Sequence, residues 1–199
     1  MAGKTIVVMA SGGGTNLQAL IDASEAGHLP ARIGAVVVNR KDAYAQTRAA
    51  NHGIPSLYFP LKAYSDAGKS RVEYDADLAA KVEAFAPDLI VLAGWMHVLS
   101  PAFLNAFPNR VINLHPALPG QFAGTFALER TFEALRRGEV DRGGCMVHVV
   151  VPEVDAGPVI ATAEVAIHPD DTLDTFAARL HAAEHQLIVQ ATIIALGRL

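Results

Sequence analysis

The sequence is poor in cysteine and has no excess of positive charge. Cys145 is the single cysteine among 199 residues, so no disulfide can form within the chain, which is typical of a reducing compartment. No apolar run approaches the roughly 20 residues of a membrane-spanning helix, and residues 1–10 lack the basic start and cleavage site of a secretory signal. The net charge of −4 disfavours a nucleic-acid partner. We therefore expect a cytoplasmic protein that binds neither membranes nor nucleic acids.

The composition is that of a folded globular domain. Hydrophobic residues make up 51% of the chain and charged residues 18%, which excludes a disordered protein. A length of 199 residues suits one domain with a sizeable core. Since no repeat, low-complexity tract or linker interrupts the sequence, we expect a single domain over residues 1–199. The sequence leaves a homodimer open.

Short apolar runs alternate with amphipathic stretches through the first two thirds of the chain. The apolar runs predict strands at residues 5–10, 33–38, 56–59, 89–93 and 111–114. The stretches between them predict helices at residues 16–26, 43–52 and 71–85, the second closed by Gly53. The runs are continuously apolar, as expected when helices cover both faces of a parallel sheet. This order predicts an open, doubly wound α/β fold with a mostly parallel sheet.

The last third of the chain has a different pattern. Residues 145–151 and 159–165 predict two strands that pair antiparallel with each other, because only a short polar link separates them. A final helix is predicted at residues 172–196. Residues 61–69 and 115–124 are the longest stretches that resemble loops, and long loops in compact domains are often functional.

A run of glycines follows the first predicted strand, in the sequence Ser-Gly-Gly-Gly-Thr-Asn of residues 11–16. Glycines let a ligand approach the backbone closely, and a helix N-terminus offers unpaired N–H groups to an anion. Thr15 and Gln18 have the spacing of a capping box, which predicts where the helix starts. We interpret the loop as a phosphate site, and a tight turn that binds nothing is the alternative.

The kind of phosphate ligand can be narrowed from the surrounding residues. A dinucleotide fingerprint requires glycine where Leu17 stands, and an acidic residue after the second strand, where the sequence has Asn39, Arg40 and Lys41. A phosphate-loop NTPase requires a loop that ends in Gly-Lys-Ser or Gly-Lys-Thr, and this loop does not. A monophosphate therefore fits the loop better than NAD or ATP.

Three polar residues are candidates for catalysis. Asn113 and His115 alternate at the carboxyl end of a predicted strand, the edge at which open α/β sheets bind ligands. An amide donates to an oxyanion, and a histidine transfers protons near neutral pH. Asp155 lies between the two late strands, where a carboxylate would orient His115 or accept a proton. Each has an ordinary alternative, either a polar strand end or a carboxylate in a hairpin turn.

A zinc site is disfavoured. Residues 181–185 match the His-x-x-Glu-His pattern of some zinc proteases, and His181 and His185 would share one face of a helix. Such a match arises easily by chance in a chain with eight histidines, and no third ligand is evident. We therefore predict no metal. Cys145 is expected to be buried and unreactive.

Five segments together resemble the phosphoribosylglycinamide formyltransferase family. They are Ser-Gly-Gly-Gly-Thr-Asn-Leu-Gln-Ala-Leu (11–20), Ala-Pro-Asp-Leu-Ile-Val-Leu-Ala-Gly-Trp-Met (86–96), Leu-Ser-Pro-Ala-Phe (99–103), Ile-Asn-Leu-His-Pro-Ala-Leu-Pro-Gly (112–120) and Val-Asp-Ala-Gly-Pro-Val-Ile (154–160). The Asn-x-His-Pro and Asp-x-Gly motifs resemble the wider folate-dependent formyltransferase superfamily, and the glycine loop followed by Asn-Leu-Gln resembles this branch of it. The resemblance implies transfer of a formyl group from 10-formyltetrahydrofolate to the amine of glycinamide ribonucleotide, in purine biosynthesis.

The resemblance also implies roles for individual residues. It assigns catalysis to Asn113, His115 and Asp155. It assigns the substrate phosphate to Gly14, Thr15 and Asn16, and the ribose to Glu184. It assigns the folate co-substrate to Arg71, Asn113, Met96, His97, Val98 and Leu99, together with the link before Asp155.

Three positions depart from the family pattern. His97 stands where many members have arginine, Phe126 stands near a usual histidine, and His181 replaces a polar residue that helps the ribose contact. These departures bear on substrate affinity rather than on the reaction. The alternatives are another folate-dependent formyltransferase, a formylfolate hydrolase, and a nucleotide-binding module without catalysis. A hydrolase would carry an additional N-terminal domain, and a tRNA or sugar formyltransferase would carry a C-terminal domain and lack the phosphate loop.

Overall fold

One seven-stranded sheet organises the chain in the computed structural model, which describes residues 3–199. The strands lie in the order β3-β2-β1-β4-β5-β6-β7. Their bounds are β1 Lys4–Ala10, β2 Ala31–Val38, β3 Ser56–Tyr58, β4 Leu89–Leu92, β5 Val111–His115, β6 Gly143–Val149 and β7 Val159–Val165. Strands β1 to β5 are parallel, whereas β6 is antiparallel to both β5 and β7. The predicted mostly parallel sheet with an antiparallel C-terminal pair is confirmed.

Helices cover both faces of this sheet. Their bounds are α1 Thr15–Glu25, α2 Ala45–Asn51, α3 Leu61–Asp66, α4 Arg71–Glu83, α5 Pro101–Leu104, α6 Ala127–Arg136 and α7 Leu173–Gly197. Residues of α1, α2 and α7 pack in one core, and residues of α4 and α5 pack in the other. Within residues 3–199, none of these helices combines the length and the apolar character needed to span a membrane.

Strand β1 explains why the predicted strands are apolar without alternation. Ile6 and Val8 face the core that contains α1 and α7, whereas Val7 and Met9 face the core that contains α4. All four side chains are fully buried. A strand between two cores has no face toward solvent, so every residue along it contributes to burial. Burying one such side chain stabilises the fold by about 1.5–3 kcal/mol.

The strand order fixes where a ligand site can form. The chain passes from β1 to β2 on one side of β1, and β4 lies on its other side. The carboxyl ends of β1 and β4 therefore flank a crevice, the topological switch point at which open α/β sheets bind ligands. The N–H of Ser11 donates to the carbonyl of Gly94 at 2.9 Å, and this bond joins the two strand ends.

The prediction of a loop over residues 61–69 is wrong, because α3 lies there. Pro60 is the N-cap of this helix, and Leu61 and Tyr64 pack against the second core. On the outer face, Lys62 pairs with Asp66 at 2.7 Å. The helix has only six residues, too few for a helical period to be recognised in the sequence.

The predicted capping box at the start of α1 is also wrong. The helix begins at Thr15, but its N-cap is Gly14 in a left-handed conformation, without a side-chain cap. The Gln18 side chain instead donates to Asp22 and accepts from Arg48. Capping boxes do occur at the starts of α4 and α7, where the caps are Ser70 and Thr172.

Neither α5 nor α6 is among the predicted helices. Helix α5 has four residues, which is too short for a period. Helix α6 is missed, although Leu128, Phe132 and Leu135 have helical spacing and pack against the core that contains α1 and α7. It follows Phe126, whose backbone is left-handed with φ 57°. The predicted closure of α2 is confirmed, since Gly53 follows the C-cap residue His52 and has a left-handed backbone with φ 65°.

Candidate active site

Two cavities lie side by side over the crevice. The glycine-loop cavity, of about 490 Å³, is lined by residues 11–16 together with Arg40, His181 and Glu184. The apolar cavity, of about 400 Å³, is lined by residues 94–99, by the carboxyl end of β5 and by residues 124–129 and 153–155. The two cavities share a wall made of Gly94, Met96, Leu114 and Pro116. Ligands that fill both cavities would therefore meet at this wall.

Helix α2 holds the glycine loop in place through the carbonyl groups of the loop. The N–H of Ala45 donates to the Gly12 carbonyl at 3.1 Å, and the Arg48 Nε donates to the Gly13 carbonyl at 2.8 Å. In a trans peptide the N–H points opposite to the carbonyl. The N–H groups of Gly13 and Gly14 therefore point away from α2.

The amide groups of this loop are available to an anion. Within residues 3–199, no backbone carbonyl accepts from the N–H groups of Gly13, Gly14, Thr15 or Asn16. These groups stand at the N-terminus of α1, where unpaired donors and the helix dipole favour negative charge. Their geometry suits a phosphate, as the sequence predicts.

Glu184 closes the far side of the glycine-loop cavity. Its Oε2 accepts from Asn16 Nδ2 at 3.3 Å, and its carboxyl group is almost fully buried. Burial raises the pKa of Glu184, although Asn16 and His181 favour the charged form. His181 lies beside it in the cavity wall. The predicted ribose residue and the predicted phosphate loop therefore line the same cavity.

The three catalytic candidates converge although 42 positions separate Asn113 from Asp155. Asn113 Nδ2 lies 3.3 Å from Asp155 Oδ1. His115 Nδ1 lies 3.3 Å from Asp155 Oδ2, and the Gly124 N–H donates to the same oxygen at 2.9 Å. All three candidates also line the apolar cavity, next to the shared wall.

The Asp-x-Gly motif has a structural cause. Asp155 adopts a left-handed backbone conformation with φ 52°, which aspartate tolerates better than most residues. Gly157 lies against β6, where a Cβ would overlap the carbonyl of Val149. This close approach folds the 150–158 segment back over the sheet and brings Asp155 to the end of β5.

His148 is a fourth polar residue in this cluster, and it is not among the predicted site residues. It lies opposite Asn113 in the β5–β6 pairing. Its Nε2 is 3.4 Å from Asp155 Oδ1 and 3.3 Å from Asn113 Nδ2, while its Nδ1 lies 2.9 Å from the Val149 carbonyl. No local motif marks His148, since its position depends on the register between two strands.

Asp155 and His115 form an acid–base pair, and for each residue burial and the neighbouring groups shift the pKa in opposite directions. Burial lowers the pKa of His115, although Asp155 and the Phe122 carbonyl favour its charged form. Burial disfavours the carboxylate of Asp155, but hydrogen bonds from His148 and the Gly124 N–H, together with the charge of His115, hold its pKa below its usual range. At neutral pH an ionised Asp155 therefore lies beside a neutral His115, and such a pair can accept a proton.

The neighbours of His115 offer acceptors to both of its ring nitrogens. Its Nε2 lies 3.2 Å from the Phe122 carbonyl, and its Nδ1 lies 3.3 Å from Asp155 Oδ2. Since both of these oxygens can only accept, the neutral ring, with one proton, satisfies only one of the two contacts. If His115 gains a second proton, both N–H groups have acceptors in place, and the imidazolium is stabilised as it forms.

The predicted folate segment lies along the apolar cavity. Met96, His97, Val98 and Leu99 all line it, and Met96 is 64% exposed. Burial lowers the pKa of His97, whose ring packs against Trp95 at 5.5 Å between centroids. Phe126 lies at the same cavity and is 73% exposed. The positions that depart from the family pattern, His97 and Phe126, therefore both face this cavity.

Arg71 holds residues 98–100 through contacts that lie outside the apolar cavity. Its Nη2 donates to the Val98 carbonyl and its Nε to Asp75 Oδ1 at 3.0 Å. Asp75 is fully buried, and its other oxygen accepts from the Ser100 N–H at 2.9 Å. Arg71 is not among the described residues that line the two cavities. Its role in folate binding stays a prediction, and its observed contacts hold residues 98–100 against α4.

Two further predictions concern residues outside the cluster. Cys145 is fully buried in β6, and burial raises the pKa of its thiol to about 12, which agrees with an unreactive cysteine. His185 lies on α7 one turn beyond His181, with a pKa that burial lowers. Within residues 3–199, no group of three or more His, Cys, Asp or Glu side chains is arranged to hold a metal ion.

Known proteins are similar to this chain in sequence and in fold over nearly its whole length. The formyl transferase family model matches residues 4–192. A phosphoribosylglycinamide formyltransferase of Schizosaccharomyces pombe is 45% identical over 94% of this chain and 94% of its own length. The Escherichia coli protein of the same name is 38% identical over 92% of this chain and 82% of its own length. The crystal structure of glycinamide ribonucleotide transformylase 1 from Symbiobacterium toebii superposes with a TM-score of 0.90 at 39% identity, over 99% of this chain and 90% of that one.

The sequence likeness, the fold and the two adjoining cavities agree with the expectation raised by the five sequence segments. The chain belongs to the phosphoribosylglycinamide formyltransferase family, within the formyl transferases.

Proposed function

We propose that this chain transfers the formyl group of 10-formyltetrahydrofolate to the amine of glycinamide ribonucleotide, in purine biosynthesis. The observation that carries the proposal is the shared wall between two unlike cavities, beside Asn113, His115 and Asp155. The glycine-loop cavity offers amide donors to a phosphate, and the apolar cavity suits a pterin ring. Relatives with this family's name support the assignment of both substrates.

The reaction would proceed by direct attack of the amine on the formyl carbon. A carbon–nitrogen bond forms to the substrate amine, and the bond from the formyl carbon to the folate nitrogen then breaks. Holding both ligands at one wall removes much of the entropic barrier. The negative charge that develops on the formyl oxygen would be stabilised by the Asn113 Nδ2 donor and by the positive charge of His115 once this residue is protonated. Loss of one such donor typically costs about 3 kcal/mol of transition-state stabilisation.

One proton must pass from the attacking amine to the folate nitrogen that leaves. The neutral His115 and the ionised Asp155 are able to accept it, because the imidazolium would have acceptors on both nitrogens. The same pair then returns the proton to the leaving nitrogen. This route balances without a metal, so 10-formyltetrahydrofolate is the only co-substrate that we propose. We place the reaction in the cytoplasm, where Cys145 would stay reduced.

The proposal is tested by mixing the protein with both substrates. We expect tetrahydrofolate and formylglycinamide ribonucleotide to appear in equal amounts. The folate product is measured by absorbance and the ribonucleotide product by chromatography. A reaction without the ribonucleotide separates transfer from hydrolysis. Formate release at the same rate in that control would identify a formylfolate hydrolase. Binding of either ligand without turnover would indicate a module without catalysis.

A further inference from the structure

Arg40 stands out among the residues of the glycine-loop cavity because of its charge. It is the only lysine or arginine that lines this cavity among the described residues. The other ionisable side chains in the wall are His181 and Glu184. A phosphate would therefore enter a cavity that already holds a carboxyl group, with one permanent cation to offset the negative charge.

The sheet register explains how Arg40 reaches the cavity. Ala10, the last residue of β1, pairs with Val38, the last residue of the parallel strand β2. Both strands therefore end at the same level, and the two residues after β2 leave the sheet beside the start of the glycine loop. Arg40 is exposed, and its backbone carbonyl is held by the Ala43 N–H at 3.3 Å.

The guanidinium of Arg40 is available for a ligand. Among residues 3–199, no hydrogen bond or ion pair of its side chain is found, whereas Arg48 next to the loop is bonded to the Gly13 carbonyl and to Gln18. The positive charge of Arg40 also contributes, after burial and Arg71, to lowering the pKa of His97. The electric field of Arg40 therefore extends to His97, which is adjacent in sequence to Met96 of the shared wall.

We propose that Arg40 binds the substrate phosphate directly and makes the enzyme select the phosphorylated substrate over its nucleoside. The inference rests on the proposed function, and it adds a cation to the amide donors of residues 13–16. The guanidinium group of an arginine can present two parallel N–H groups to the oxygens of a phosphate.

The test compares Arg40→Lys, Arg40→Gln and Arg40→Glu with Lys41→Gln as the matched control. Lys41 is the adjacent exposed cation and does not line either cavity. We expect Arg40→Gln to raise the KM for glycinamide ribonucleotide about tenfold, as for a lost hydrogen bond to a charged group. Arg40→Lys should raise it less and Arg40→Glu more, while Lys41→Gln should stay within about twofold.

A second substrate separates phosphate binding from a structural effect. The dephosphorylated glycinamide riboside should react equally well with the wild type and with Arg40→Gln. An equal loss on both substrates, or an equal loss in Lys41→Gln, would overturn the proposal. Calorimetric titration with ribose 5-phosphate gives a readout without turnover. If the wild type does not transfer formyl groups, the proposed function fails, yet a tenfold weaker Kd in Arg40→Gln would still support the phosphate role, and an unchanged Kd would refute it.

Discussion

His148 Nε2 lies 3.4 Å from Asp155 Oδ1, so the carboxylate that faces His115 with one oxygen faces a second histidine with the other. Neither histidine is exposed by more than 4%. The pairing of β5 with β6 places His148 opposite Asn113, and its ring is held from behind by the Val149 carbonyl. Asp155 therefore has contacts on both oxygens that fix its position in the cluster.

We predict that His148→Gln lowers kcat by about 10- to 100-fold, because small misplacements of reacting groups carry losses of this size. The KM for the ribonucleotide should change little, since His148 does not line the glycine-loop cavity. Steady-state kinetics with both substrates measure this. His28→Gln, at an exposed residue, is the control. A change confined to KM would exclude His148 from positioning Asp155.

The three catalytic candidates should act together. Asn113→Ala is expected to lower kcat by about 10²–10³, the usual effect of losing one oxyanion donor, and His115→Ala should be comparably damaging. Asp155→Asn should also reduce kcat, because an amide cannot accept the proton. The double variant of His115 and Asp155 should be little worse than either single variant. Losses that simply multiply would show that the two residues work independently.

The sequence predicts the sheet well because each strand between two cores is continuously apolar, as in Ile6–Met9 of β1. The helices α3 and α5 are not predicted, since they are too short to leave a period. Their packing depends on contacts with distant parts of the chain, which no local pattern records. Helix α6 is different, because Leu128, Phe132 and Leu135 do have helical spacing, and this pattern is missed.

The candidate site is predictable only in parts. The sequence identifies Asn113, His115 and Asp155 only as separate polar residues. Their convergence depends on the left-handed backbone at Asp155 and on the close contact of Gly157 with the Val149 carbonyl. His148 is missed because its partner lies 35 positions away in another strand. The capping box at Thr15 fails because the left-handed Gly14 takes the cap position, and Arg48 engages Gln18 instead.

Acid should destabilise the fold through His115. The pKa of His115 is lowered in the folded protein, so below the ordinary value of about 6.5 the unfolded chain binds more protons than the native one. The free energy of unfolding therefore falls as pH drops from 7 toward 5. Asp155, whose pKa is also lowered, adds a loss of the same sign at lower pH, below about 3.8.

The measurement is the slope of Tm against pH between 7 and 5. We expect this slope to be shallower in His115→Gln than in the wild type. The His115→Gln variant keeps Asp155, which contacts His115, and His148, which contacts the other oxygen of Asp155. The exposed residue His28 supplies the control, His28→Gln. An identical slope in His115→Gln would mean that His115 does not resist protonation in the folded state.

Arg71 should contribute to stability through the buried carboxylate of Asp75. Arg71→Met removes one partner of a charge that has no exposure to solvent, which typically costs about 3–5 kcal/mol. The Ser100 N–H remains as a partner, so the lower end is expected. Chemical denaturation measures the loss. The double variant with Asp75→Asn should be more stable than Arg71→Met alone, and a double variant that is equally unstable would rule out an uncompensated charge as the cause.

The packing of the glycine loop against α2 gives a prediction with a matched control inside the chain. Gly14 and Gly27 both have left-handed backbones, with φ 70° and 73°. A Cβ at Gly14 would lie 2.9 Å from the Ala45 Cβ, whereas a Cβ at Gly27 would meet no atom within 4 Å. Gly27→Ala should therefore cost only the backbone strain, about 1–2 kcal/mol. Gly14→Ala should cost about 1–3 kcal/mol more, because α2 must shift.

The same pair separates stability from binding. Only Gly14→Ala should raise the KM for the ribonucleotide, since the shift of α2 would move the Gly12 and Gly13 carbonyls and with them the amides that face the cavity. Thermal denaturation and steady-state kinetics measure the two effects. In an Ala45→Gly background the cost of Gly14→Ala should shrink without vanishing, because the Ala45 Cα would still lie 3.0 Å away. Equal losses in Gly14→Ala and Gly27→Ala would mean that backbone strain alone makes glycine necessary in this loop, and that α2 does not set its geometry.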